Sequence, residues 1–268
     1  MKRVLFLLSF LMAAFGAMAA DYKFERDVQY RSDDDYAKKM CKVDIAIPKG
    51  AKDAPVIIWF HGGGLTGGGK HIPYEIMRDG VVCVGVGYRF SPHVSVDQIV
   101  DDAACAIAWV FENIEKYGGS ADKIFLSGHS AGGYLVSMAG LQKSYLEKYG
   151  IDANRVKGII PFSGQMITHF EERRVRGMSD KLPLIDEMAP LYHVRGDAAP
   201  ILLLTGDRER EMLGRYEENA YMWRMLKLVG HPAVEIYELD GYDHGAMAEP
   251  AHHILLDVVR RVADGAFG

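Results

Sequence analysis

Two rhythms of apolar residues alternate along this chain. Val56-Ile57-Ile58-Trp59-Phe60 is an unbroken apolar run, as expected of a strand covered on both faces of a sheet. Further strand-like segments rich in apolar residues recur at Val81–Val86, Lys123–Ser127, Val156–Phe162, Ile201–Leu204 and Val234–Leu239. Between them apolar residues return every three or four positions. Val96, Ile99, Val100, Ala103, Ile107, Val110 and Ile114 mark one face of a helix over Ser95–Tyr117, stopped by Gly118-Gly119. Further helices are expected over Ala131–Leu141, Arg215–Val229 and Pro250–Val262. Phe24–Tyr30 and Cys41–Ile47 read as an opening antiparallel pair around the polar Ser32-Asp33-Asp34-Asp35 turn. Strands alternating with helices predict an α/β fold with a mostly parallel sheet flanked by helices. Residues 163–200, with Pro183 and Pro190, break the rhythm and read as a small insertion over the sheet.

The first residues belong to a different pattern. Lys2 and Arg3, the apolar stretch Val4–Phe15 and the small-residue Ala17-Met18-Ala19 have the layout of an export leader. Cleavage is expected after Ala19, with Ala20 the neighbouring choice, leaving residues 20–268 as one domain in a bacterial periplasm or outside the cell. The apolar stretch is too short for a good membrane span, and no cysteine at the cut offers a lipid anchor, so none is expected on the mature form.

A net charge of −5 argues against nucleic acid as a partner. The densest basic run, Arg173-Arg174-Val175-Arg176, stands beside Glu171 and Glu172 and reads as a solvated helix face. Cys41, Cys83 and Cys105 have no metal-ligand spacing and read as small buried hydrophobes. His252-His253 is a poor chelate, because adjacent helical side chains point about 100° apart. No metal and no cofactor are expected.

The candidate chemistry lies elsewhere. Gly128-His129-Ser130-Ala131-Gly132 sits between a predicted strand and a predicted helix, the setting in which G-x-S-x-G forms a sharp turn presenting its serine. Ser130 is the candidate nucleophile. His61-Gly62-Gly63-Gly64 follows the central strand, and there Gly63 and Gly64, with Ala131, are the candidate N–H donors to an oxyanion. Removing one such donor typically costs about 3–4 kcal/mol of transition-state stabilisation. Gly62–Lys70 also mimics nucleotide-binding glycine loops, but Pro73 and the glycine density argue for a loop without a helix start.

In this chain order the base follows the acid, which selects His244, in Gly241-Tyr242-Asp243-His244-Gly245 just past the last strand. His231 stands at the wrong end of the sheet, and His252 and His253 read as surface positions on the last helix. The acid is expected in Thr205-Gly206-Asp207-Arg208-Glu209. Asp207 is the first choice and Glu209 the competitor, while Glu211, Glu217 and Glu218 read as loop and solvent-face residues.

With His61-Gly-Gly-Gly, Tyr88-Arg89-Phe90-Ser91-Pro92, Ala108-Trp109, Gly128-His-Ser-Ala-Gly, Asp207 and His244, the chain resembles the α/β-hydrolase esterase/lipase superfamily. It is most similar to the hormone-sensitive-lipase-like and feruloyl/acetyl-esterase-like bacterial carboxylesterases. The resemblance implies an eight-stranded sheet, a Ser-His-acid triad and cofactor-free hydrolysis of small-molecule or glycan esters, with acetyl or feruloyl groups on polysaccharide as the expected substrates. Gly206-Asp207-Arg208-Glu209 departs from the lipase-like acid motif. A prolyl-oligopeptidase-type peptidase would need an extra domain, and a non-catalytic binding protein on this fold usually lacks one of the triad residues.

Overall fold

The computed structural model describes residues 22–263. The leader expected over residues 1–19 lies outside them. Eight strands, β1 (Tyr22–Gln29), β2 (Lys42–Pro48), β3 (Ala54–Phe60), β4 (Val82–Val86), β5 (Gly119–His129), β6 (Gly158–Phe162), β7 (Ile201–Gly206) and β8 (Val234–Leu239), form one sheet. Their spatial order is β1-β2-β4-β3-β5-β6-β7-β8. β2 runs antiparallel to both its neighbours; every other pairing is parallel. Among the described residues seven α-helices accompany the sheet: α1 (Asp35–Met40), α2 (Val96–Asn113), α3 (Ala131–Leu141), α4 (Lys143–Glu147), α5 (Phe170–Val175), α6 (Arg215–Leu228) and α7 (Ala248–Ala263).

The alternating faces of β3 show how the sheet is covered. Val56, Ile58 and Phe60 enter the core shared with α2, α3 and α6, whereas Ile57 and Trp59 enter a second core against α7. A strand covered on both sides has no polar face to offer, hence the unbroken apolar run. α2 begins with a reciprocal cap between Ser95 and Gln98. It ends at Asn113, short of the expected Tyr117: residues Ile114–Tyr117 tighten into a 3-10 turn closed by Gly118 at φ 79°. β5 starts at Gly119, ahead of the expected Lys123, because Gly119 pairs with Ala54.

Two surface expectations fail. Within the basic run, Arg173 is 2% exposed and donates to the Leu182 carbonyl, and Glu171 is buried, accepting from Ser91 Oγ at 2.5 Å. Only part of α5 is a solvated face, since the insertion folds back over it. His252 is buried rather than superficial, 5.2 Å from the Trp59 ring and 5.4 Å from Phe162, because α7 turns this side toward the sheet while His253 faces solvent. Cys41 and Cys83 are buried, Cys105 is partly so, and all three are free.

In the parallel part of the sheet the register aligns the strand ends. Phe60 pairs with Gly128, His129 with Phe162, Phe162 with Leu204, and Gly206 with Leu239. The segments that follow β3, β5, β6, β7 and β8 therefore leave the sheet side by side at its carboxyl edge, where open α/β sheets place their ligands.

Candidate active site

Ser130 stands between β5 and α3 with φ 56° and ψ −113°, a conformation costly for a residue with a side chain. The turn is held by Ser130 N–H donating to the Phe162 carbonyl at 2.8 Å. Such a tight reversal needs room. A Cβ on Gly132 would lie 2.0 Å from the Phe60 carbonyl oxygen, and one on Gly128 would lie 2.7 Å from both that oxygen and the Gly132 carbonyl carbon. Both glycines of the motif thus let backbones approach closer than a side chain permits. Ala131 begins α3, and the first N–H groups of a helix have no intrahelical acceptor.

The loop after β3 lies against this turn. A Cβ on Gly62 would come within 3.5 Å of Ser130 Cβ. Gly63 has φ 118°, its carbonyl accepts from Thr66 and Gly67 N–H, and a Cβ there would lie 2.1 Å from the Gly67 oxygen. Gly64 follows at φ 63°, with the edge of Phe170 over it, 3.1 Å from where its Cβ would stand. No helix starts in this loop, so the nucleotide-loop reading has no structural counterpart. His61 anchors the base of the loop: its ring stacks on Tyr88 at 4.3 Å, and Tyr88 Oη donates to its carbonyl at 2.7 Å. Burial lowers the His61 pKa to about 4, keeping it neutral.

His244, in the loop after β8, has a carboxylate partner, but not an expected one. Its Nδ1 donates to Glu211 Oε2 at 2.7 Å, so neither Asp207 nor Glu209 occupies the acid's place. The reason is a single helical turn after β7. Arg210 and Glu211 N–H both donate to the Asp207 carbonyl, at 2.9 and 2.8 Å, which folds Glu211 back under the strand end. The Asp207 carboxylate is used otherwise: it accepts from Glu209 N–H at 2.9 Å and from Gly241 N–H at 2.8 Å, and so fastens the β7 loop to the β8 loop. Glu209 is exposed.

The Glu211 side chain is 1% exposed, yet it is well supplied with donors. Oε1 accepts from Ser163 Oγ and, at 2.9 Å, from Gly206 N–H; Oε2 accepts from His244 and, at 3.2 Å, from Met212 N–H. Burial alone would raise its pKa. The hydrogen bonds from His244 and Ser163 and the neighbouring imidazole overcome that, bringing it to about 2. Glu211 is therefore ionised, and it engages His244 through Nδ1.

His129, excluded as the base by chain order, supports the site from beside Ser130. Its Nε2 donates to the His244 carbonyl at 2.7 Å, with the rings 4.9 Å apart. Burial and the neighbouring His244 lower its pKa to about 4, so it braces the His244 loop as a neutral donor. Its position beside Ser130 was the available signal. His231, by contrast, contacts the Ala198 and Ala199 carbonyls at the opposite end of β7.

Comparison with known proteins agrees with this architecture. The BD-FAE family model matches residues 43–213. Esterase LipC of Mycobacterium tuberculosis (strain ATCC 25618 / H37Rv) is 29% identical over 217 residues, 72% of this chain and 53% of LipC. The chain spans about half the length of curated relatives it matches. Thermogutta terrifontis esterase 2, in a structure phosphoramylated by tabun, superposes with a TM-score of 0.70 at 22% identity over 92% of this chain and 96% of that one. A truncated carbohydrate esterase from gut microbiota gives 0.70 at 16% identity, over 90% and 98%. With the match to more than half its length, the eight-stranded sheet and the serine turn in place, the chain belongs to the BD-FAE family and has the α/β-hydrolase fold.

Proposed function

We propose that this protein is a serine carboxylesterase acting on short-acyl esters, with Ser130 as nucleophile, His244 as base and Glu211, in place of Asp207, as the acid of the triad. The observation that carries the reading is the His244–Glu211 pair beside a strained serine turn. Glu211 holds the proton of His244 on Nδ1, leaving the Nε2 lone pair to take the Ser130 proton. The Ser130 oxygen then adds to the ester carbonyl. The resulting oxyanion is received by the N–H groups of Gly63, Gly64 and Ala131. Collapse expels the alcohol, which takes the proton from His244, and leaves an acyl-Ser130 ester. Water, deprotonated by His244, attacks that ester, and the acid departs as Ser130 regains a proton.

Esterase names among the relatives support the reaction class, and the leader pattern of residues 1–19 supports export. Acetyl or feruloyl groups on polysaccharide fit an exported enzyme whose insertion is short, and one structural neighbour is named a carbohydrate esterase. The test begins with a fluorophosphonate probe: wild type is labelled and Ser130→Ala is not, and equal labelling of both would overturn the mechanism. Acetylated xylooligosaccharides and feruloyl esters then test the substrate. Turnover of aryl acetates alone would remove the glycan assignment while leaving the esterase.

A further inference from the structure

We propose that Ser163 is a positioning residue for the reaction, acting through Glu211 on His244; this rests on the esterase reading above. Ser163 immediately follows β6, is fully buried, and has φ 45°, in the left-handed region where glycine sits without strain and a side chain does not. What the side chain does there is donate Oγ–H to Glu211 Oε1.

The strained residue is clamped from several sides. Its N–H donates to the Leu204 carbonyl at 2.7 Å. Its carbonyl accepts from Nη1 of Arg215, a residue 2% exposed. The next carbonyl, Gly164, accepts from Asn219 Nδ2 at 2.9 Å, and Met166 N–H donates to Glu218 at 3.0 Å. All three clamping side chains come from α6, the helix that follows the Glu211 loop. The chain thus fixes Ser163 and the Glu211 loop to the same helix.

The consequence is rotational. The terminal torsion of a glutamate is broad and roughly two-fold, so donors on both oxygens are needed to hold it. Ser163 and Gly206 take Oε1, and Oε2 stays against His244 Nδ1. Without the hydroxyl, Oε1 keeps a single donor and the carboxylate turns more freely. The loss falls where His244 carries charge, in the transition state, and not in substrate binding.

Glycine makes a discriminating probe because it suits the backbone at residue 163 better than serine while removing the hydroxyl. Ser163→Gly and Ser163→Ala should each lower kcat about tenfold, the scale of one hydrogen bond to a charged group, with KM unchanged and the glycine variant melting no lower than wild type. In a Glu211→Gln background the added Ser163→Gly change should have little further effect, as expected of two residues acting through one contact. Wild-type kcat in Ser163→Gly, a loss confined to KM, or an undiminished loss in the Glu211→Gln background would each overturn the proposal. Normal turnover by Ser130→Ala would instead defeat the esterase reading itself, so the two failures are separable.

Discussion

Around Ser130 the chain is held backbone against backbone, and the Phe60 carbonyl would stand 2.0 Å from any Cβ on Gly132. Around Glu211 it is held by four hydrogen-bond donors drawn from the last residue of β7 and from the segments that follow β6, β7 and β8. One end of the site is a steric fit and the other an electrostatic one. The first tolerates no added atom; the second tolerates no lost donor. Sequence motifs favour the first kind, because the absence of a side chain is written as glycine at a fixed place.

The largest effect expected from this contrast is at the acid. Glu211→Gln keeps the shape and loses the charge, and kcat/KM on an aryl ester should fall by about 10³–10⁴, as when the acid of a serine triad is neutralised. Asp207→Asn should retain most of the turnover, since its carboxylate binds backbone N–H groups of the two loops and not His244. The reverse order of losses would return the acid to Asp207.

Next comes the steric end. Gly132→Ala should destabilise the fold by about 4 kcal/mol or more, since backbone on two elements must move, and thermal melting reads this directly. Should melting stay unchanged while activity is lost, the packing account of the elbow would be wrong.

The smallest effect concerns what lies beneath both ends. Phe162 receives the Ser130 N–H and precedes Ser163, and it packs on His252. Neither ring nitrogen of His252 has a hydrogen-bond partner among the described residues, and burial lowers its pKa from 6.5 to about 4. The unfolded chain therefore binds this proton first, and stability is lost as pH falls from about 6.5 to about 4. Glu211 adds its own loss lower down, between about 4.5 and about 2. His61 and His129, also lowered to about 4, contribute over the same range, so His252→Phe should remove only its own share, gaining about 1–2 kcal/mol at pH 5 relative to pH 7. An identical gain at both pH values would mean that packing, and not titration, is responsible.

The legibility of the fold follows the same division. The run Val56–Phe60, the periodicity of α2 as far as Asn113 and the glycines around Ser130 are local signals, and each produces its element. Glu211 was passed over because its role depends on one helical turn inside Arg208–Gly214, where no periodicity announces structure. The usable signal was geometric: a residue four positions after Asp207 returns toward the strand end, whereas Glu209 points outward. Arg173 and His252 misled for a related reason. Charge and titratability are properties of the side chain, while burial is decided by which segment folds over it.

The edge of Phe170 above Gly64 separates two inheritances within the molecule. Ser130, Glu211 and His244 follow the ends of sheet strands, whereas the cover over Gly64 is lent by the segment between β6 and β7. Substitutions in that segment can therefore reshape the space above the loop after β3 without touching the side chains that pair beneath it.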